Sequence, residues 1–420
     1  MEVLQNYGTL LILITAAFAF FMAFGVGAND VSNAMGTSVG SGTITAKQAI
    51  VIALIFECAG AYLAGGEVTE TIKSGIIDPN DFITQPEVLV LGMMSALFAS
   101  GSWLLIASRW GWPVSTTHSI IGAIIGFACI TTGAGAVRWN AIGGIVGSWF
   151  ITPFIAGVLA YGIFLVIQKL IFDTENPLRN AQKFGPYFMG LTVFILIIVT
   201  VAKGLKHVGL NLSTKETVLI SLGLSAISVV ISHFYFRSKN FIRKARQGTF
   251  GGVERVFSML MLMTACAMAF AHGSNDVANA IGPLAAVVTI VESGGNIAAS
   301  APMAWWVLPL GALGIGVGLI VMGYKVMATI GTGITDLTPS RGFAAQFATA
   351  ATVVVASGTG LPISTTQTLV GAVLGIGLAR GIAALNLNVI RNIIASWVVT
   401  LPAGAFFAIV IYYILALIFR

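Results

Sequence analysis

Charge is scarce in this sequence of 420 residues: Asp, Glu, Lys and Arg together make up 9%, against about a quarter in an ordinary soluble domain. So little charge excludes a soluble globular protein. Cysteine is scarce as well, and Cys58, Cys129 and Cys266 each stand alone in an apolar segment with no metal-type spacing. They read as packing residues rather than redox centres. The four histidines form no His-Glu-His, Cys-His or Ser-His arrangement, so no covalent chemistry and no enzyme is expected.

Apolar residues fill the chain instead, at 57%. The apolar runs outlast the roughly ten residues of a barrel strand and do not alternate with polar ones, so they read as helices. At roughly 20 residues per crossing, the length allows on the order of ten to fourteen crossings. The first run, Thr9 to Phe24, lacks a basic segment before it and is followed by equally apolar ones, so it reads as a mature span rather than a signal peptide. The excess of Lys and Arg, a net +6, marks cytoplasmic loops rather than nucleic-acid binding. Trp103, Trp110, Trp112, Trp305 and Trp306 read as headgroup anchors at span ends.

The chain repeats itself. Gly27-Ala-Asn-Asp-Val-Ser-Asn-Ala-Met-Gly36 returns 246 residues later as Gly273-Ser-Asn-Asp-Val-Ala-Asn-Ala-Ile-Gly282, with seven identities in ten. Gly111-Trp-Pro-Val-Ser-Thr-Thr-His-Ser119 returns 249 residues later as Gly360-Leu-Pro-Ile-Ser-Thr-Thr-Gln-Thr368, and Ser148-Trp149 returns as Ser396-Trp397. Two homologous halves follow: a first repeat over residues 1–170 and a second over 253–420. Residues 171–252 then hold linking spans and a basic stretch with Arg237, Lys239, Arg243, Lys244, Arg246 and Arg255. Such density of positive charge belongs in the cytoplasm, and the acidic segment Glu67 to Glu87 is placed outside. If every Gly-rich segment is re-entrant, the parity between those two loops fails, so either 28–45 or 139–170 must cross.

Asp30 and Asp276 sit in the Asn-Asp blocks, at what read as the ends of apolar spans. A carboxylate at membrane depth costs a few kcal/mol and faces a cavity or a partner, or else it caps a short helix at headgroup level. With Asn29, Asn33, Asn275 and Asn279 beside them, the pair offers carboxylate and amide oxygens to a hard cation, and oxygen-only ligands suit sodium. Pro113 to Thr117 and Pro362 to Thr366 read as helix starts inside the membrane, where unpaired N–H groups, a positive dipole end and the hydroxyls of Ser115, Thr116, Thr117, Ser364, Thr365 and Thr366 form an anion receptor. The alternative is that those hydroxyls bond back to their own helix. Gly122, Gly126, Gly371 and Gly375 allow each hairpin to bury itself in protein.

Two carboxylates beside an anion receptor would repel the anion unless cations lie between them, and the mutual dependence of the two ligands is symport. Glu57 is either a further ion-pathway carboxylate or a snorkelling residue, and Gln346 either a ligand or a helix-to-helix hydrogen bond. His272 can tune a neighbour or serve a structural bond, and His118 is matched by Gln367, so no proton-carrying histidine pair is supported.

These paired blocks resemble the inorganic phosphate transporter family of cation-coupled phosphate symporters, over nearly the whole chain. The resemblance implies an all-α polytopic membrane protein of two inverted repeats, with broken helices and re-entrant helical hairpins. It implies import of phosphate held by the hydroxyl blocks, coupled to sodium at Asp30 and Asp276, with no cofactor. It also places Glu57 where the family depends on a glutamate and Gln346 where its second-half match would stand. The lack of a long hydrophilic loop between the halves favours a prokaryotic member in the plasma membrane. Expected partners are phosphate, sodium and the lipid bilayer, with a homodimer left open and no nucleic acid. The alternatives are a proton-coupled phosphate or sulfate permease of the same family, or an anion channel.

Overall fold

The structure is a computed structural model that describes residues 2–203, 212–238, 241, 251–297, 303–324, 326–327, 334, 336–381 and 385–419. Among them are thirteen α-helices and no strand. The first half holds α1 (Glu2–Gly40), α2 (Ala46–Ala64), a short α3 (Gly66–Glu70), α4 (Pro86–Arg109), α5 (Thr116–Thr131) and α6 (Trp139–Ile167). The linking spans are α7 (Pro177–Lys203) and α8 (Thr214–Phe236). The second half holds α9 (Gly251–Glu292), α10 (Val307–Met322), α11 (Pro339–Gly358), α12 (Thr365–Arg380) and α13 (Leu387–Phe419). Of the basic stretch, Lys239, Arg243, Lys244 and Arg246 lie outside the described residues.

Among the described residues eight helices are long and apolar enough to cross a bilayer, fewer than the length alone permits. α5, α10 and α12, with 16 residues each, are not among the eight. Local signals set the ends. Thr45 with Gln48, and Ser213 with Glu216, form capping boxes at the starts of α2 and α8, and Pro86 and Pro339 open α4 and α11.

The chain before α4 meets the chain after α5. Arg138 N donates to Ile76 O at 2.9 Å and Asp78 N to Ala136 O at 2.9 Å, so the α4–α5 hairpin returns to the side it left. Asn386 N donates to Ile334 O at 3.0 Å and closes the α11–α12 hairpin in the same way. This resolves the parity. From the acidic segment, α6, α7 and α8 cross in turn and bring Arg237 to the opposite side. Segment 139–170 therefore supplies the crossing, while 28–40 merely continues α1. Between the two hairpin mouths lie five helices, α6 to α10. The fold is a multi-pass membrane protein of two inverted repeats.

Each hairpin packs on the last helix of the other half. A Cβ on Gly122 in α5 would come within 2.3 Å of Leu401 O in α13, and one on Gly371 in α12 within 2.2 Å of Pro153 O in α6. Only glycine lets these backbones approach so closely. Trp103 departs from the expected headgroup anchor. It is 6% exposed and donates from Nε1 to Thr400 Oγ1 at 3.2 Å, fastening α4 to α13, whereas Trp110, Trp112 and Trp305 are exposed.

Candidate functional site

Both Asn-Asp blocks lie inside continuous helices, not at span ends: α1 runs through Gly27–Gly36 and α9 through Gly273–Gly282. Their small residues serve close crossing. A Cβ on Gly27 would meet Ile315 O of α10 at 2.0 Å, and one on Gly273 would meet Glu57 O of α2 at 2.1 Å. The breaks are instead at 110–115 and 359–364, where the hairpins turn before the Ser-Thr-Thr blocks. Ser115 and Ser364 are the N-caps of α5 and α12, and their Oγ atoms accept from the backbone N–H of His118 and Gln367, each at 3.2 Å.

The two helix starts meet reciprocally. Thr117 Oγ1 donates to Ile363 O at 2.9 Å, and Thr366 Oγ1 lies 3.2 Å from Val114 O. The asparagines then cross between halves. Asn33 Nδ2 donates to Thr366 Oγ1 at 2.8 Å and reaches Thr365 Oγ1 at 3.3 Å, while Asn279 Nδ2 reaches Thr116 and Thr117 Oγ1 at 3.2 Å each. Thr365 Oγ1 donates to Asp276 Oδ2 at 2.7 Å, and Thr366 Oγ1 lies 3.3 Å from Asp30 Oδ1. Asp30, Asn33, Asp276, Asn279 and all six Ser and Thr residues of the two blocks are buried. The sequence motifs thus converge on one site.

Proton accounting divides that site. A threonine hydroxyl has one proton, and those of Thr117, Thr365 and Thr366 go to protein oxygens. The donors left for an anion are the backbone N–H groups of Thr116, Thr117, Thr365 and Thr366, which open α5 and α12, and the hydroxyls of Ser115, Thr116 and Ser364. Beside them stand acceptors without donors. Asp30 Oδ2, Asn33 Oδ1, Asn275 Oδ1, Asp276 Oδ1 and Asn279 Oδ1 are buried with no hydrogen-bond partner among the described residues. Buried oxygens of that kind cost free energy unless a cation meets them. One atom from each of Asp30, His272 and Asp276 lies within 4.8 Å of the others, close enough for the two carboxylates to share positive charge.

Three expected site residues act differently. Asn29 is committed to its hairpin: Nδ2 donates to Trp112 O at 2.9 Å and Ser108 Oγ at 3.2 Å, and Oδ1 accepts from Val114 N at 3.2 Å. It clamps the turn rather than offering a free ion ligand. Asn275 repeats the clamp on Ser357 Oγ at 3.0 Å and Leu361 O at 3.4 Å, yet keeps its Oδ1 unpaired. Sequence reasoning missed Ser108 and Ser357, although their 249-residue spacing matches the hairpin repeat.

Gln346 is not the second-half match of Glu57. It lies on α11, the counterpart of α4, where the residue 249 positions earlier is Leu97. Its Nε2 donates to Ala34 O at 2.8 Å and Ser38 Oγ at 2.9 Å, and its Oε1 accepts from Thr264 Oγ1 at 3.1 Å, a helix-to-helix clamp. Glu57 is fully buried rather than snorkelling, with Oε1 3.3 Å from His272 Nδ1, and His272 Nε2 is 2.9 Å from Asp276 Oδ2. In the other half Ile315 holds the place of Glu57 against Gly27, and Val26 holds that of His272. The acid and imidazole pair therefore exists on one side only.

Known proteins are similar to this chain in sequence and fold. The model of the phosphate transporter family matches residues 26–408. A protein of Haemophilus influenzae that carries the provisional name of phosphate permease is 74% identical over all 420 residues of both chains. The chloroplastic inorganic phosphate transporter 2-1 of Arabidopsis thaliana is 40% identical, the match covering 97% of this chain and 71% of that one. A solved structure titled the sodium-dependent phosphate transporter superposes with a TM-score of 0.90 at 40% identity, over 97% of this chain and 99% of that one. Matched by the family model over residues 26–408 and by a relative 74% identical along its whole length, the chain belongs to the phosphate transporter family.

Proposed function

We propose that this protein is a secondary symporter of the plasma membrane that imports inorganic phosphate together with sodium. The observation that carries the reading is the shared wall of threonine hydroxyls. Those hydroxyls stand between two helix N-termini that favour an anion and a set of unpaired buried oxygens that favours cations. The sodium-dependent phosphate transporter with the same fold supports the choice of both ligands.

Phosphate is held by the N–H groups opening α5 and α12, with Ser115 and Ser364 donating and Thr116, Thr117, Thr365 and Thr366 forming the wall. Asp30, Asp276, Asn33, Asn275 and Asn279 supply sodium ligands, and Glu57 adds negative charge through His272. Each sodium lowers the repulsion between carboxylate and phosphate, so each ligand strengthens the other. Because the site is buried on every side, release requires one bundle to rock against the other around it.

Labelled phosphate uptake into proteoliposomes tests the reading. Uptake should follow an inward sodium gradient and resist competing sulfate. Uptake indifferent to sodium and driven by a pH gradient overturns the coupling, and current without saturable uptake overturns the symporter in favour of a channel.

A further inference from the structure

Three helix ends meet on the cytoplasmic side: the end of α6 with its π-helical turn Gln168–Phe172, the start of α7 and the end of α8. Gln182 Nε2 donates to Phe236 O at 2.9 Å and ties α7 to the last turn of α8. Between them opens a groove of about 780 Å³ lined by Arg179, Lys183 and Arg237, with Glu175 as the one acid. All three basic side chains are exposed, and none forms an ion pair with a carboxylate among the described residues.

The groove is not part of the transport site, and its neighbours are not those of a soluble anion site. Lys183 and Arg179 share a face of α7 with Tyr187, one helical turn further into the span, which is 64% exposed. Phe234 and Tyr235 precede Arg237 on α8, and Leu170 lies one turn before Thr174 at the groove edge; all three are exposed. The positive charges therefore sit at the rim of an outward-facing apolar wall. That is the chemistry of a phospholipid: a phosphate at the rim and acyl chains along the wall.

We propose that this groove, formed where α6, α7 and α8 end, binds the phosphate-bearing headgroup of an anionic lipid of the cytoplasmic leaflet. The tethered phosphate meets Arg179, Lys183 and Arg237, and its chains lie against Leu170, Tyr187 and Phe234. Zwitterionic lipid gains little there, because its own ammonium group cancels the attraction.

Native mass spectrometry of the full chain, offered equal phosphatidylglycerol and phosphatidylcholine, measures the preference. Wild type should retain phosphatidylglycerol, and the variant R179Q/K183Q/R237Q should lose about fivefold in preference for each charge removed. Millimolar inorganic phosphate should not displace the lipid. Melting in nanodiscs separates this from folding: the variant and wild type should melt together in phosphatidylcholine and diverge only when phosphatidylglycerol is present. An unchanged preference in the variant, displacement by inorganic phosphate, or equal divergence in both lipids overturns the proposal.

Discussion

Neutralising Asp276 should weaken the sodium requirement for phosphate binding. In Asp276→Asn the amide Oδ1 can still accept from the Thr365 hydroxyl, which now donates to Asp276 Oδ2 at 2.7 Å, so the shape of the site is kept. What changes is charge. An anion on the first-turn N–H groups of α12 would sit about 5 Å from the Asp276 carboxylate, and at an effective dielectric near 20 two such charges repel by about 3 kcal/mol. Removing that repulsion should tighten sodium-free phosphate binding on the order of a hundredfold, while sodium adds correspondingly less. Isothermal titration of purified protein with phosphate, in choline and then in sodium, reads both quantities. Asp276→Ala, which strands the Thr365 hydroxyl, separates geometry from charge and should not show the same gain. If Asp276→Asn binds phosphate in choline no better than wild type and sodium still tightens it fully, the electrostatic account of coupling is wrong.

Ser115→Ala with Ser364→Ala removes the two capping hydroxyls, whose protons are not spent on protein oxygens. Each bond to a charged ligand is worth about 1.5–3 kcal/mol, so the phosphate KM in uptake assays should rise at least tenfold while the half-saturating sodium concentration moves little. Gly27→Ala and Gly273→Ala each push a Cβ to about 2 Å from a carbonyl oxygen. Each should cost about 1–3 kcal/mol, visible as a lower melting temperature, and only Gly273→Ala moves Glu57 against His272 and so alters sodium dependence as well. At the hairpin mouth, the backbone N–H of Asn80 and then Arg138 hold the Asp78 carboxyl below its usual value. A depressed carboxyl contributes stability above its unfolded pKa of about 3.9 and loses it as pH falls through the folded value. Hydrogen exchange at residues 76–78 and 136–138 should accelerate on that descent, and Asp78→Asn should remove the acid dependence.

Much of this was legible because the chemistry is written twice. The Pro-x-Ser-Thr-Thr blocks declare helix starts through local rules, proline in the first turn and serine at the cap, and the structure places both there. The Asn-Asp blocks read as span ends in sequence, and the structure differs for an equally physical reason. Runs of Gly, Ala, Ser and Asn weaken an isolated helix, but here the cost is offset by backbone packing of α1 on α10 and α9 on α2, which no local pattern displays. The clamp made by Asn29 and the burial of Trp103 depend on partners 83 and 297 residues away. Glu57 and Gln346 could not be told apart as matches without the helix pairing, because each sits singly in an apolar run. The repeat spacing would have separated them, since it carries Gln346 back to Leu97.

The bonds from Asn33 to Thr366 and from Asn279 to Thr117 leave no half of the molecule able to assemble the site alone. A single unit resembling either half could complete it only by meeting an upside-down copy of itself. Before the two were fused, the ancestral polypeptide would have had to insert into its bilayer both ways round, with no strong preference in its loop charges. Fusion released the pair from that constraint, and with it from identity: a buried glutamate and histidine could arise beside one aspartate, leaving an isoleucine and a valine beside the other.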